Sequence, residues 1–416
     1  MATTMNPEPG REDGALLARL ETILPAAAED IARRGELLSR VAALPIATHP
    51  SGLDAIAGLG SPQVAAAEPD PRQVVATLAQ AGLLDECVAQ PDGDGVRPLS
   101  VRALCLIRAA LAYRSPLYDL MFVMQGLGSH AVSQAGSAAQ RAAYLPRVAT
   151  GQALAALALT EPGAGSDLAG IQTRATRTSD GGYRIDGQKV FISNAGCATH
   201  YVVYARTDAH PKKGLSAFLV PADAAGLSVT PMRLLCDDHP IGAVNFAGVL
   251  VPADARIGDE GQGMSLSLST LARFRPTVGA AAVGMAARAL DEAIAHVRRR
   301  QQFGQALSTF QATQMRLAEL ATELQAAALL VQHAAQAIDR GGAGHDTVGT
   351  ASAMAKLYAT EVAGRVVDGA LQLHGGCGLV AGSVLERLYR DVRALRIYEG
   401  TSEVQKLIIA RGLLSP

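Results

Sequence analysis

Glu399, in the run Ile397-Tyr398-Glu399-Gly400-Thr401-Ser402-Glu403-Val404-Gln405, is the side chain best placed for chemistry in this chain of 416 residues. One carboxylate stands between apolar residues and the start of a helix. Ser402, with Gln405 three positions on, has the form of a capping box, and Val404, Leu407 and Ile408 follow at helical spacing. Glu399 therefore belongs to the turn that leads into that helix. Flanking apolar side chains would desolvate it and raise its proton affinity, which suits a group that must accept a proton at neutral pH. Taken alone, the segment fits an ordinary solvated glutamate just as simply, so the rest of the chain has to decide.

The elements that would position such a base are mostly helical. Nearly half of the residues are hydrophobic, with many alanines and few aromatics, which favours close-packed helices over an aromatic-rich sandwich. The length exceeds what one core usually supports and predicts two or three domains sharing interfaces. Residues 1–14 read as a disordered tail. From Ala15 to about residue 154 the apolar spacing is helical, as in Val74, Val75, Leu78 and Leu83, with breaks at Pro50-Ser51-Gly52 and at residues 91–95. After Gly151 the pattern changes. Tyr183 to Ile185, Asp186-Gly187 and Gln188 to Ile192 read as a hairpin on a type I′ turn, and Tyr201 to Ala205, Leu215 to Val220 and Val244 to Val251 read as strands of a β domain over 155–258. Helical spacing returns over 259–416, with Ala280 to Arg300, Gln311 to Arg340 and Ala351 to Leu373 as bundle helices. The fold class expected is α+β: a helical domain, a small β-barrel or β-sandwich, and a C-terminal four-helix bundle.

Composition also excludes. A formal charge of -1 without a long basic run leaves no electrostatic footprint for nucleic acid or anionic lipid. Five widely spaced cysteines with no CxxC pair indicate neither a disulfide framework nor a zinc site, so no metal is expected and a reducing cytoplasm fits. The N-terminus lacks a secretory signal pattern, and no run of about eighteen strongly apolar residues would span a membrane.

Several separated segments agree with one another, and the chain resembles the acyl-CoA dehydrogenase family of flavoproteins. Thr160-Glu161-Pro162-Gly163-Ala164-Gly165-Ser166-Asp167 is similar to that family's flavin loop, Phe191-Ile192-Ser193-Asn194 to its isoalloxazine strand, and Arg300-Gln301-Gln302-Phe303-Gly304 to its signature in the second helical domain. Gln372-Leu373-His374-Gly375-Gly376 and residues 397–405 complete the set in order. Physical sense accompanies each piece. Glycines at 163 and 165 remove side chains where backbone approaches a planar ring or a pyrophosphate, Thr160 and Ser166 supply hydroxyls, and Arg300 offers a planar, permanently charged fork to a diphosphate.

The resemblance implies FAD as cofactor, with contacts from Leu159, Thr160, Gly165, Ser166, Phe191, Ser193, Arg300, Gln302, Phe303, Gln372, Gly376, Thr401 and Glu403. Arg300, Gln372 and Gly376 would serve the flavin of a neighbouring subunit, which implies a homotetramer built as a dimer of dimers. Substrate contacts would come from Ser166, Arg275, Glu399 and Gly400, with Arg275-Pro276 opening the first helix of the second helical domain. The implied reaction is α,β-dehydrogenation of an acyl thioester to the trans-2-enoyl product, Glu399 taking the α-proton, flavin N5 the hydride, and the Glu399 N–H polarising the carbonyl.

The chain departs from the family at four places. Phe191 replaces a usual tryptophan, Ser193 a frequent threonine, His374 an apolar or aromatic residue, and Ala272 an aspartate that helps hold the thioester's carrier end. Loss of that carboxylate leaves both CoA and a carrier protein as possible tethers. The electron acceptor is expected to be an electron-transferring flavoprotein or oxygen, the latter as in a flavin oxidase or monooxygenase on the same fold. A non-redox flavoprotein and a cofactor-free helical protein are the other readings.

Overall fold

Caps written into the sequence divide the first helical region. The structure, a computed structural model, describes residues 31–46, 51, 69–93, 95–211, 213–236, 240–341 and 345–414. The expected tail, the helical start at Ala15, and Pro50, Gly52 and Lys212 lie outside the described residues. Helices α1 (Ile31–Ala42), α2 (Pro71–Gln80), α3 (Val101–Arg114), α4 (Pro116–Ala135) and α5 (Ala138–Ala149) come first. The Asp70 side chain caps α2 by accepting from Arg72 N, and Ser100 caps α3 by accepting from Ala103 N. Ser115 ends α3 and caps α4, where Pro116 fills a first-turn position that needs no N–H donor. At α5, Ser137 and Gln140 form a complete capping box.

Strands β1 (Ala155–Ala158), β2 (Arg174–Arg177), β3 (Tyr183–Ser193), β4 (His200–Arg206), β5 (Leu215–Pro221), β6 (Leu227–Pro231), β7 (Ile241–Val251) and β8 (Arg256–Ile257) follow. They form one eight-stranded sheet in the order β8-β5-β4-β2-β3-β7-β6, with β1 parallel to β4. The hairpin expected at Asp186-Gly187 is not formed: β3 runs straight through as one 11-residue strand. Its register against β7 shifts between Ile185 and Gly187, so the dipeptide makes a bulge instead of a turn. Gly187 has φ +149°, and a Cβ there would stand 2.6 Å from Thr173 Oγ1, while Asp186 Oδ1 accepts from Gly248 N across the pair. Of the two residues only Gly187 takes a positive φ, as part of the bulge and not of a type I′ turn.

The chain then returns to helices: α6 (Gly263–Arg299), α7 (Gln311–Asp339), α8 (His345–His374), α9 (Val384–Leu395) and α10 (Ser402–Leu414). Helix α6 is one continuous helix of 37 residues, so Arg275-Pro276 lies inside it and does not open it. Pro276 leaves the carbonyl of residue 272 without its helical donor, a cost the packing on either side absorbs.

Two apolar cores hold the architecture. One joins α1 to α5 with α6 to α9 and takes Val202, Tyr204, Ala217 and Leu219 from one sheet face; the second takes Tyr201, Val203, Phe218 and Val220 from the other face. The alternation follows the two-residue period of a strand. Helix α6 is the central beam, packed on α3, α7 and α8. Asp339, at the end of α7, locks the helical regions together. Its carboxylate accepts from Ser100 Oγ (2.9 Å), Val101 N (2.7 Å), Arg102 N (3.2 Å) and Arg102 Nε (3.1 Å), satisfying the first turn of α3 from across the molecule.

Candidate active site

The turn between α9 and α10 is strained at its chemical residue. Glu399 has φ +53°, a region that costs a non-glycine residue energy unless the surroundings over-determine it, and Gly400 follows at φ +94°. A Cβ on Gly400 would lie 2.6 Å from Gln405 Nε2, so both conformation and space require glycine there. Gln405 Nε2 donates to Gly400 O at 2.8 Å and to Glu399 O at 3.4 Å, which ties the turn to the first turn of α10. The expected capping box is corrected by these bonds. Thr401 is the cap, its Oγ1 accepting from Val404 N at 3.3 Å, and Ser402 Oγ instead donates to Glu361 Oε1 at 2.6 Å.

The carboxylate is desolvated, but not by both of its apolar neighbours in sequence: Ile397 is 54% exposed, whereas Tyr398 packs against the first apolar core. Glu399 as a whole keeps some exposure while its Oε2 is buried and has no hydrogen-bond partner among the described residues. Burial raises its affinity for a proton above the ordinary carboxylate value of 4.5, and Arg108, Lys356 and Arg275 pull it back. These cations come from three helices, α3, α8 and α6. Arg275 is buried with its Nε unpartnered, and burial holds its pKa below the usual arginine value against the pull of Glu399.

Arg108 is fully engaged elsewhere. Its Nε and Nη2 donate to the two oxygens of Asp119, both at 2.7 Å, and its Nη1 donates to Thr277 Oγ1 at 2.8 Å. Burial opposes its charge, yet the facing Asp119 carboxylate more than offsets this and holds the proton more tightly than usual. Asp119 and Tyr398 also line a cleft with Leu117, Cys236, Met285 and Asp391.

A second cluster forms at the start of the sheet. Lys189 is buried, its Nζ donating to Glu161 Oε1 at 2.8 Å and to Leu159 O at 3.0 Å, and Glu161 also accepts from Gln172 N and Thr173 N. Val190 N donates to Thr160 O at 2.9 Å. Leu159, Thr160 and Phe191 are thereby brought together, as the sequence predicts. Phe191 is 54% exposed and held at φ +56°, a large aromatic face turned outward at a conformational cost. Past Ser193, Asn194 (φ +64°) donates from Nδ2 to Ala155 O at 2.8 Å. A Cβ on Gly163 or Gly165 would meet nothing within 4 Å, and Ser166 is exposed beside them. An open, glycine-floored cradle beside an exposed ring and hydroxyls fits a flat cofactor with a diphosphate.

The third cluster stands apart. Arg300, Gln302 and Phe303 are exposed, the last at 93% with φ +53°, on a short hairpin after α6. Gln372 and Gly376 are exposed at the end of α8. His296 and His374, ring centroids 4.1 Å apart, hold the two helix ends side by side. Lys356, which touches Gly400, lies sixteen residues back from Gln372 along α8, about 24 Å at 1.5 Å per residue. Thr401 is near the Glu399 turn, partly covered, and Glu403 is exposed one residue into α10.

Sequence reasoning missed Arg108, Asp119, Glu161, Lys189, Asn194 and Lys356. The available signal was a charged residue inside an apolar helical stretch, as in Leu106-Ile107-Arg108-Ala109 and Met354-Ala355-Lys356-Leu357.

Residues 60–152, 156–249 and 261–414 match, in turn, the N-terminal, middle and C-terminal domain models of acyl-CoA dehydrogenase. Among curated proteins, the chain is 36% identical to the probable acyl-CoA dehydrogenase FadE25 of Mycobacterium tuberculosis over 376 residues, covering 88% of this chain and 95% of that one. It is 38% identical to the caffeyl-CoA reductase-Etf complex subunit CarC of Acetobacterium woodii over 287 residues, 67% of this chain and 73% of that one. Among solved structures, a glutaryl-CoA dehydrogenase from Mycobacterium smegmatis in complex with FADH2 superposes with a TM-score of 0.76 at 25% identity, over 98% of this chain and 95% of that one.

Proposed function

Because this chain belongs to the acyl-CoA dehydrogenase family of FAD-dependent oxidoreductases, we propose that Glu399 is the base that removes the α-proton of an acyl-CoA, giving the trans-2-enoyl thioester. The observation that carries this reading is a strained, buried carboxylate oxygen with no partner of its own, set among three cations. Burial raises the proton affinity of Glu399 above that of a surface glutamate, and the three cations favour its charged form, the state a base needs. The Glu399 N–H makes no hydrogen bond among the described residues, which supports its role as donor to the thioester carbonyl. Arg275, whose buried Nε is unpartnered and which interacts electrostatically with Glu399, is the residue proposed to orient the substrate.

FAD, when bound, takes up the hydride that leaves the β-carbon. Leu159, Thr160, Gly165, Ser166, Phe191 and Ser193 would hold it from this chain, with Thr401 and Glu403 at the helix start. Arg300, Gln302, Phe303, Gln372 and Gly376 would reach the flavin of a neighbouring copy, for which their exposure and their distance from Lys356 speak. That exposure supports a homotetramer as the proposed assembly. An electron-transferring flavoprotein is the proposed acceptor, a reading supported by the Etf complex to which the Acetobacterium relative belongs. All five cysteines are free, in keeping with a cytoplasmic protein. No helix among the described residues is long and apolar enough to cross a membrane.

Anaerobic mixing of the yellow protein with a panel of acyl-CoA and acyl-carrier-protein thioesters tests the reading. Bleaching of the flavin by at least one acyl-CoA is the expected result. Bleaching by the carrier-protein set alone would move the tether to a carrier protein and give Ala272 its meaning, and bleaching by neither would reject dehydrogenation.

A further inference from the structure

Lys356 is buried in the middle of α8, and its Nζ donates to Gly400 O at 2.7 Å. That carbonyl follows directly on Glu399, the residue held at φ +53°. Gln405 grips the same oxygen from the other side, so the turn carrying the base is clamped between α8 and α10. An ammonium taken wholly out of water for one backbone carbonyl is a costly arrangement, and a neutral donor such as Gln405 already serves that oxygen. The charge therefore needs a second purpose, and the nearest one is the Glu399 carboxylate.

We propose that Lys356 is the positioning residue of the catalytic base: it locks the Gly400 carbonyl, holds Glu399 in its left-handed conformation, and supplies a fixed positive charge that keeps the carboxylate ready to accept a proton. The proposal rests on the reading of Glu399 as base. The groups facing the carboxylate are Arg108 of α3, Asp119 of α4, Arg275 of α6 and Lys356 of α8, with Tyr398 beside it in the turn. Arg108 is committed to Asp119, so Lys356 and Arg275 carry the charge not already matched. Lys356 itself is brought down to about 8 by burial, against the pull of Glu399 and with Glu361 and Glu403 also nearby. The Glu399 carboxylate favours the charged form of Lys356, and the ammonium favours the ionised carboxylate, so each charge supports the other.

Lys356→Met removes charge and donor at nearly constant volume, and Lys356→Gln keeps a donor without the charge. Both should purify yellow. Flavin reduction by substrate should slow about 100-fold in Lys356→Met, since the base loses its fixed position, and less in Lys356→Gln. In both variants the acid limb of the pH profile should move to higher pH, because loss of a neighbouring cation favours the neutral carboxyl. Lys356→Arg should return the limb toward its original place. An unmoved limb in Lys356→Gln would overturn the proposal, and so would loss of folding in both variants, which would make Lys356 a residue of the core and not of the base. Retained reduction in Glu399→Gln would instead sink the assignment of the base itself, a separate failure.

Discussion

Glu399→Gln should purify yellow and fail to reduce its flavin with substrate, the rate falling on the order of 10⁴-fold, at the upper end of what one positioned base contributes. The amide keeps the shape of the side chain but cannot accept the α-proton. FAD should stay bound because the cradle of Leu159, Thr160 and Phe191 is built on the Lys189–Glu161 pair and shares no hydrogen bond with the Glu399 turn. In the unmodified enzyme the sign of the pH dependence follows from burial. A carboxyl whose pKa is raised above 4.5 is protonated, and idle as a base, at pH values where a surface glutamate would still be charged. Activity should therefore fail on acidification at a pH above 4.5, and single-turnover flavin bleaching across pH measures it. A Glu399→Gln protein that bleaches at the original rate would remove the base from the mechanism.

The second large effect concerns the Arg108–Asp119 pair. Asp119→Leu leaves a guanidinium that is 1% exposed without its carboxylate, and an uncompensated buried charge costs about 3–5 kcal/mol. Thr277 Oγ1 satisfies only one of its donors. The double variant Arg108→Leu, Asp119→Leu should recover most of that loss, since two packed apolar side chains need no partner. Urea denaturation of the three proteins reads both results. A single variant within about 1 kcal/mol of the parent would mean that water or a neighbouring acceptor already reaches Arg108.

What the sequence reveals of this molecule follows from how local each signal is. Strand and helix positions were readable because periodicity is a property of consecutive residues: Tyr201, Val203 and Val202, Tyr204 fall on opposite faces as their alternation requires. A glycine with positive φ was legible at Gly187, although Asp186-Gly187 forms a bulge because β3 continues to pair with β7 on both sides; the left-handed backbone at Glu399 and Gly400 was not. The resemblance places Arg275-Pro276 at the start of a helix, and the structure shows it inside a longer one that packs on three neighbours. The turn of Glu399 was legible and the charges around it were not. Arg108, Lys356 and Arg275 approach from three helices that are distant in sequence, and a lone charged residue in an apolar run looks the same whether it faces water or a buried partner. Among the described residues, four that are not glycine have positive φ, at 191, 194, 303 and 399, and every one lies in a segment singled out by its residue types. Strain gathers where function needs a side chain aimed against its backbone preference.

Removal of a proton from the α-carbon of an acyl-CoA by Glu399 is read out by single-turnover reduction with substrate deuterated at that carbon. Anaerobic bleaching of the bound flavin should be slower with the deuterated acyl-CoA than with the unlabelled one. Equal rates, in a protein whose flavin both substrates bleach, would contradict removal of that proton in the step that reduces the flavin.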